Sequence, residues 1–164
     1  MSGNATRSAN DAKDMVGKPA PEFTLPDQDG TPVSLTDLRQ QGSVVLYFYP
    51  KDMTPGCTTE ACSFRDSLDL VRAAGAHVVG ISADSPGSHR KFIQKYGLTF
   101  PLLSDPEGRV IREYGVWSDS EGGIAKPSIF AVRKDGSIAW TYVGQDYADR
   151  PTDDELFDSL RGGG

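Results

Sequence analysis

The sequence is poor in cysteine, poor in histidine and without any long apolar run. Its two cysteines are too few to staple a small secreted domain with disulfides. In a reducing compartment such a pair is catalytic, redox-active or simply buried. The two histidines, His77 and His89, lack metal-ligand spacing with each other or with the cysteines, and both read as structural or exposed. The longest uninterrupted apolar stretch runs only from Val44 to Tyr49, against about 20 residues for a membrane-spanning helix. Residues 1–14 are small and polar, lack the hydrophobic region of a signal peptide and read as a disordered tail. The expectation is a cytoplasmic chain that neither enters a membrane nor binds one. No block of five like charges occurs, and the net charge of -6 argues against a nucleic-acid partner, which would want clustered Lys and Arg. There is no glycine-rich phosphate loop, Gly122-Gly123 being a turn signal only.

What is present is one domain's worth of alternating structure. The 164 residues suffice for a sizeable core, placed here over residues 15–161. Pro19, Pro21 and Pro26 keep Gly17 to Asp29 extended; Val33 and Leu35 continue the alternation after the Asp29-Gly30 turn. Val44 to Tyr49 is apolar at every position, as a central parallel strand covered on both faces would be. Ala61, Phe64, Leu68 and Val71 then recur at helical spacing until Gly75. His77 to Ser82 forms a second buried strand. Ser85-Pro86 starts a helix whose inward stripe is Phe92, Ile93 and Tyr96 and whose stop is Gly97. Phe100 to Leu103 predicts a short strand, and Val110 to Tyr114 a brief helix. Ser128 to Val132 and Ser137 to Val143 flank Asp135-Gly136 as a hairpin. Thr152 and Glu155 make a capping box for a last helix. Alternating strands and helices followed by a hairpin predict an α/β fold whose central sheet is mixed and flanked by helices in three layers.

Cys57 carries the most chemical information. It follows the apolar strand and a turn segment with Pro50, Pro55 and Gly56, where helix-compatible sequence begins. A helix N-terminus aims unpaired N–H groups and a positive dipole end at such a sulfur, which favours thiolate over thiol. Lys51, Asp52, Arg65 and Asp66 read as solvated surface charges.

Pro50, Thr54 and Cys57 match the Pro-x-x-x-Thr-x-x-Cys motif of peroxiredoxins. The run Tyr47-Phe48-Tyr49-Pro50-Lys51-Asp52 through Cys57-Thr58-Thr59-Glu60-Ala61-Cys62 resembles the peroxiredoxin Q branch, also called bacterioferritin comigratory protein. The resemblance extends over Pro21 to Gly30, Val79 to Asp84, Leu102 to Asp105 and Tyr114 to Trp117. It implies a thioredoxin-like fold and a thiol-dependent peroxidase that reduces hydrogen peroxide and organic hydroperoxides. Cys57 would be the nucleophile, oxidised to a sulfenic acid that Cys62 resolves as a disulfide, with thioredoxin or a similar dithiol as reductant and no cofactor or metal. Thr54 would orient the peroxide, and Pro50 would shield the sulfur. The expected assembly is a monomer or weak dimer. Rival readings are a protein dithiol–disulfide oxidoreductase, although such enzymes usually separate their cysteines by two residues, and a non-enzymatic thiol redox sensor.

Two consequences follow. On an intact helix, residues five apart have Cα atoms about 8.6 Å apart, beyond the roughly 7 Å a disulfide tolerates. A Cys57–Cys62 bond therefore requires the helix to unwind locally. The resemblance also implies an arginine shortly before the hairpin. Counting from Gly123-Ile124 places Lys126 there, whereas counting back from Asp135-Gly136 places Pro127. Lysine keeps the charge without the planar fork, and Arg133 and Arg150 are the alternative cations.

Overall fold

The computed structural model describes residues 15–52, 62, 73, 75–119, 124–126 and 128–143. The tail 1–14, most of the helix expected from Ala61 and the closing helix from Thr152 lie outside the described residues. The chain enters as a two-stranded antiparallel ribbon, β1 (Thr24–Pro26) with β2 (Pro32–Ser34). Asp27 closes its turn, Oδ1 accepting from the amides of Asp29 and Thr31 as an Asx turn. Helix α1 (Leu35–Arg39) follows directly, capped by Ser34, whose side chain accepts from the Asp37 amide. Leu35 thus opens a helix rather than extending a strand. The Ser34 cap and an acidic residue in the first turn outweigh the alternation of Val33 and Leu35.

The core is a five-stranded sheet of β3 (Ser43–Phe48), β4 (Ala76–Ser82), β5 (Leu102–Ser104), β8 (Ser128–Val132) and β9 (Ile138–Val143), ordered β5-β4-β3-β8-β9. β3, β4 and β5 are parallel, while β8 is antiparallel to β3 and to β9. The sheet is mixed, as the late hairpin requires. β3 lies at its centre, and its side chains alternate between two apolar clusters. Val44, Leu46 and Phe48 face one; Val45, Tyr47 and then Tyr49 face the other. This is why the stretch is apolar at every position.

The first cluster is closed by α1, by Phe23 and by α3 (Arg109–Glu113), with Val110, Ile111 and Tyr114 fully buried. Phe48, Tyr114 and Phe130 meet there with ring centroids 5.1 to 5.5 Å apart, within the range of favourable aromatic pairing. On the other face lies α2 (Pro86–Tyr96), which sends Phe92 into the second cluster with Ile93 and Tyr96 beside it. Ser85 caps α2, accepting from the Ser88 amide, and Gly97 ends it at φ 62°, the left-handed conformation that glycine adopts without strain. Burial of an aromatic such as Phe92 contributes about 1.5–3 kcal/mol.

A second small ribbon, β6 (Trp117–Ser118) with β7 (Ile124–Ala125), precedes the hairpin; the sequence pattern does not reveal it. β5 begins at Leu102 rather than Phe100, whose ring packs in the second cluster. Gly80 lies in β4 because a Cβ there would stand 2.7 Å from the Leu102 side chain and 3.2 Å from the Tyr49 ring. Among the described residues no helix is long and apolar enough to cross a membrane.

Candidate active site

Three parallel strands end at one edge of the sheet, and several polar residues meet there. Tyr49, Pro50 and Asp52 follow β3, Asp84 and Ser85 follow β4, and Asp105 follows β5. In open α/β sheets this carboxyl end is where sites form, because connections diverge from it and leave a crevice. The Tyr49 amide still donates to the Ile81 carbonyl at 3.2 Å, so parallel pairing persists one residue beyond β3. Pro50, half-buried, has no N–H with which to continue it.

Asp52 is the first surprise. The sequence reading made it a solvated charge beside Lys51. Lys51 is exposed, but Asp52 is 6 % exposed. Its carboxyl group meets three side chains, one from the exit of β3 and two from α2. Tyr49 donates its hydroxyl to Oδ1 at 2.6 Å, Ser88 donates to Oδ2 at 2.8 Å, and His89 Nδ1 lies 2.8 Å from Oδ2. The Asp52 amide donates to Asp84 Oδ2 at 2.8 Å, and Ser82 donates its hydroxyl to that same oxygen at 2.7 Å. A buried carboxylate survives only with such partners. Burial, the charge of Asp52 and the hydrogen bond to it together push the Tyr49 phenol well above its ordinary value, so Tyr49 stays protonated and keeps donating. His89 is fully buried, a structural position rather than an exposed one, and its Nε2 lies 3.0 Å from the Leu103 carbonyl. His77 meets the Leu38 carbonyl through Nε2 at 2.8 Å.

Asp52, Asp84 and His89 each offer a ligand atom, all within 4.8 Å of one another. Those atoms are occupied by the hydrogen bonds just described, which is the arrangement of a satisfied polar core. Asp105 closes the row: burial raises its carboxyl above the usual range, while the amides of Ile111, Val110 and Arg109 pull the other way, Ile111 donating to Oδ2 at 2.9 Å.

Of the residues singled out in the sequence, Cys57 and Thr54 lie outside the described residues, as do Arg150 and Pro127. Cys62 has helical backbone, is half-buried and carries a free thiol. Lys126 is half-buried; its amide donates to the Val116 carbonyl at 2.7 Å, and its carbonyl accepts from the Ser128 hydroxyl at 2.9 Å. Register brings it to the same end of the sheet as Pro50. Phe48 pairs with Ser128, and Pro50 and Lys126 each lie two residues beyond that pair. Arg133 goes elsewhere. It follows Val132, which pairs with Val44 at the opposite end of β3, and its Nη1 donates to Ser137 Oγ at 3.2 Å. Arg133 therefore lies at the opposite end of the sheet from Pro50 and Lys126.

The family model described as the AhpC/TSA family matches residues 16–141. The chain belongs to the AhpC/TSA family. Within this peroxiredoxin family it is 44% identical over 145 residues to the chloroplastic peroxiredoxin Q of Gentiana triflora, covering 88% of this chain and 66% of that protein. It is 46% identical to the corresponding Sedum lineare protein over 145 residues, covering 88% of this chain and 77% of that one. Among solved structures, the peroxidoxin BcpB of Mycobacterium tuberculosis superposes with a TM-score of 0.80 at 36% identity, over 90% of this chain and 97% of that one. The bacterioferritin comigratory protein of Xanthomonas campestris gives a TM-score of 0.75 at 28% identity, over 96% of both chains. The mixed sheet with helices on both faces is thus the thioredoxin-like fold of the peroxiredoxins. The sequence signal reached the family through the motif around Cys57. It missed the Asp52–His89 pair, because nothing in the local pattern ties a charged residue beside Lys51 to a helical histidine 37 positions later.

Proposed function

We propose that this chain is a thiol-dependent peroxidase of the peroxiredoxin Q type, built as one domain over residues 15–161. The observation that carries the reading is the run from Pro50 to Cys57 leaving the end of central strand β3 in a chain of this family. Peroxiredoxin Q relatives and the Xanthomonas protein, whose alkyl peroxide reduction was studied crystallographically, support it.

The thiolate of Cys57 attacks one peroxide oxygen, the O–O bond breaks, and the other oxygen leaves as hydroxide or alkoxide and takes up a proton. Cys57 becomes a sulfenic acid. The Cys62 thiol displaces its hydroxyl as water and leaves a disulfide. A dithiol donor of the thioredoxin class supplies two electrons and two protons to restore both thiols. Thr54 donates to and accepts from the peroxide and aligns the O–O bond with the sulfur. Pro50 excludes water without offering a competing N–H. Lys126, at the same end of the sheet by register, supplies the cation that favours thiolate. A reducing compartment such as the cytoplasm suits this cycle, and a monomer or weak dimer suffices for it.

Stopped-flow mixing of the reduced chain with hydrogen peroxide tests the reading. Oxidation should far outpace that of a free thiol. Cys57→Ser should abolish it, and Cys62→Ser should permit one turnover and leave a sulfenic acid trappable by a dimedone-type reagent. Continued turnover by Cys57→Ser would show that Cys57 is not the nucleophile.

A further inference from the structure

The buried cluster around Asp52 has a feature that structural packing alone does not require. It joins the exit of β3 to the start of α2 through ionisable groups, although an apolar contact at the same place would be cheaper to bury. The Leu103 carbonyl can only accept, so the proton on His89 Nε2 is fixed by that 3.0 Å contact. His89 Nδ1 then faces Asp52 Oδ2 at 2.8 Å, with both side chains almost wholly inaccessible. Two acceptors cannot hold that distance, so a proton lies between them. Asp52 also receives the hydroxyls of Tyr49 and Ser88, so its carboxyl group is the point at which the three side chains meet.

Location gives this link its consequence. Asp52 stands midway between Pro50 and Thr54, two residues from each, and both its amide and its carboxylate are tied to the segment 84–89. Tyr49, three residues earlier, is likewise held at backbone and side chain, its amide by Ile81 and its hydroxyl by Asp52. The chain therefore sets out toward Thr54 and Cys57 from a fixed point. Attack on an O–O bond is demanding in alignment, and a displacement of about 1 Å can cost about a hundredfold in rate.

We propose that Asp52 and His89 are positioning residues of the peroxide-reducing site, a buried hydrogen-bonded latch with Tyr49 and Ser88 that fixes the chain between Pro50 and Thr54. The inference rests on the peroxidase reading above. The latch serves the attack of Cys57 on peroxide. It has no part in the later disulfide step, which needs the region of Cys62 to loosen rather than to hold.

The test separates those two steps in single turnover. Peroxide loss on mixing with reduced protein reads the first, and acid quenching with mass spectrometry of the disulfide reads the second. Asp52→Asn should slow the first step by about tenfold or more and leave the second at the wild-type rate or faster. Ser88→Ala, which removes a single bond to Asp52, should show the same split at smaller size and decides the matter if Asp52→Asn does not fold. Gly97→Ala is the control. It strains the far end of the same helix at φ 62° without touching the latch, and should lower the melting temperature while both steps keep wild-type rates. Folded Asp52→Asn and Ser88→Ala proteins that oxidise at the wild-type rate would overturn the latch alone. So would a proportional fall in both steps, the mark of a smaller folded fraction. A wild-type chain no faster than a free thiol would overturn the peroxidase reading and the latch with it.

Discussion

Asp105 sits at the end of β5 with its Oδ2 2.9 Å from the Ile111 amide, where it helps to start α3. Burial is the largest influence on its carboxyl and raises it above the ordinary value, and the three amide contacts and Arg109 only partly offset that. The sign for stability follows. Between the ordinary carboxylate range near 4 and the raised folded value, the native chain still holds a proton that the unfolded chain has released. The stabilisation is therefore complete below that window and is lost as pH rises through it. Asp105→Asn keeps an acceptor for Ile111 but cannot titrate. In urea denaturation from pH 3.5 to 7, the wild type should lose stability relative to Asp105→Asn as pH climbs, whatever constant offset separates them; parallel curves would show that Asp105 does not titrate abnormally. Asp105 and Asp52 also mark what could be read from residues and what could not. Local spacing exposes Pro50, Thr54 and Cys57 because their chemistry lies within eight consecutive positions. The burial of Asp52 depends on Ser88 and His89, which only the folded sheet brings near, and sequence offers a charged residue nothing but its average preference for water.

At the scale of elements, α2 is the clearest agreement between pattern and structure. Ser85, Pro86, the Phe92–Ile93–Tyr96 stripe and Gly97 are four independent local signals, and every one has the role its residue type suggests. α1 failed for the opposite reason. Five residues are too few to show helical spacing, and Ser34 with Asp37 was the one cue available. The hairpin of β8 and β9 was legible through Asp135-Gly136. The ribbon of β6 and β7 was not, since two-residue strands carry no alternation. The Ser85 cap gives a measurable consequence. Its side chain accepts from the Ser88 amide at 3.2 Å, and removing a cap of this kind costs about 1 kcal/mol. Ser85→Ala should lower the free energy of unfolding by that amount, seen as a lower urea midpoint with an unchanged slope of the transition. An unaltered midpoint would mean that solvent satisfies the Ser88 amide equally well.

For the molecule as a whole, the sheet gives the proposed reaction a rigid base. β3 is hydrogen-bonded on both edges and covered on both faces, so local opening there approaches global unfolding in cost. The chain that leaves it must do two incompatible things in the proposed cycle. Cys57 must be held for attack on peroxide, and then it must reach a sulfur carried by Cys62, whose backbone is helical while its thiol is free. Two Cα atoms five residues apart on a continuous helix are about 8.6 Å from each other, and a disulfide accommodates no more than about 7 Å. Closing the bond therefore exchanges helical hydrogen bonds near Cys62 for a covalent link, whereas β3, β4 and α2 have no reason to change. Hydrogen exchange compares the two redox states directly. After one equivalent of hydrogen peroxide, the amides around Cys62 should exchange markedly faster and far-ultraviolet circular dichroism should show less helix, while amides of Val45, Leu46 and Val79 stay protected. Equal protection around Cys62 in both states, with the disulfide verified by mass, would mean that the bond forms without unwinding and that the two cysteines do not share a continuous helix in the reduced chain.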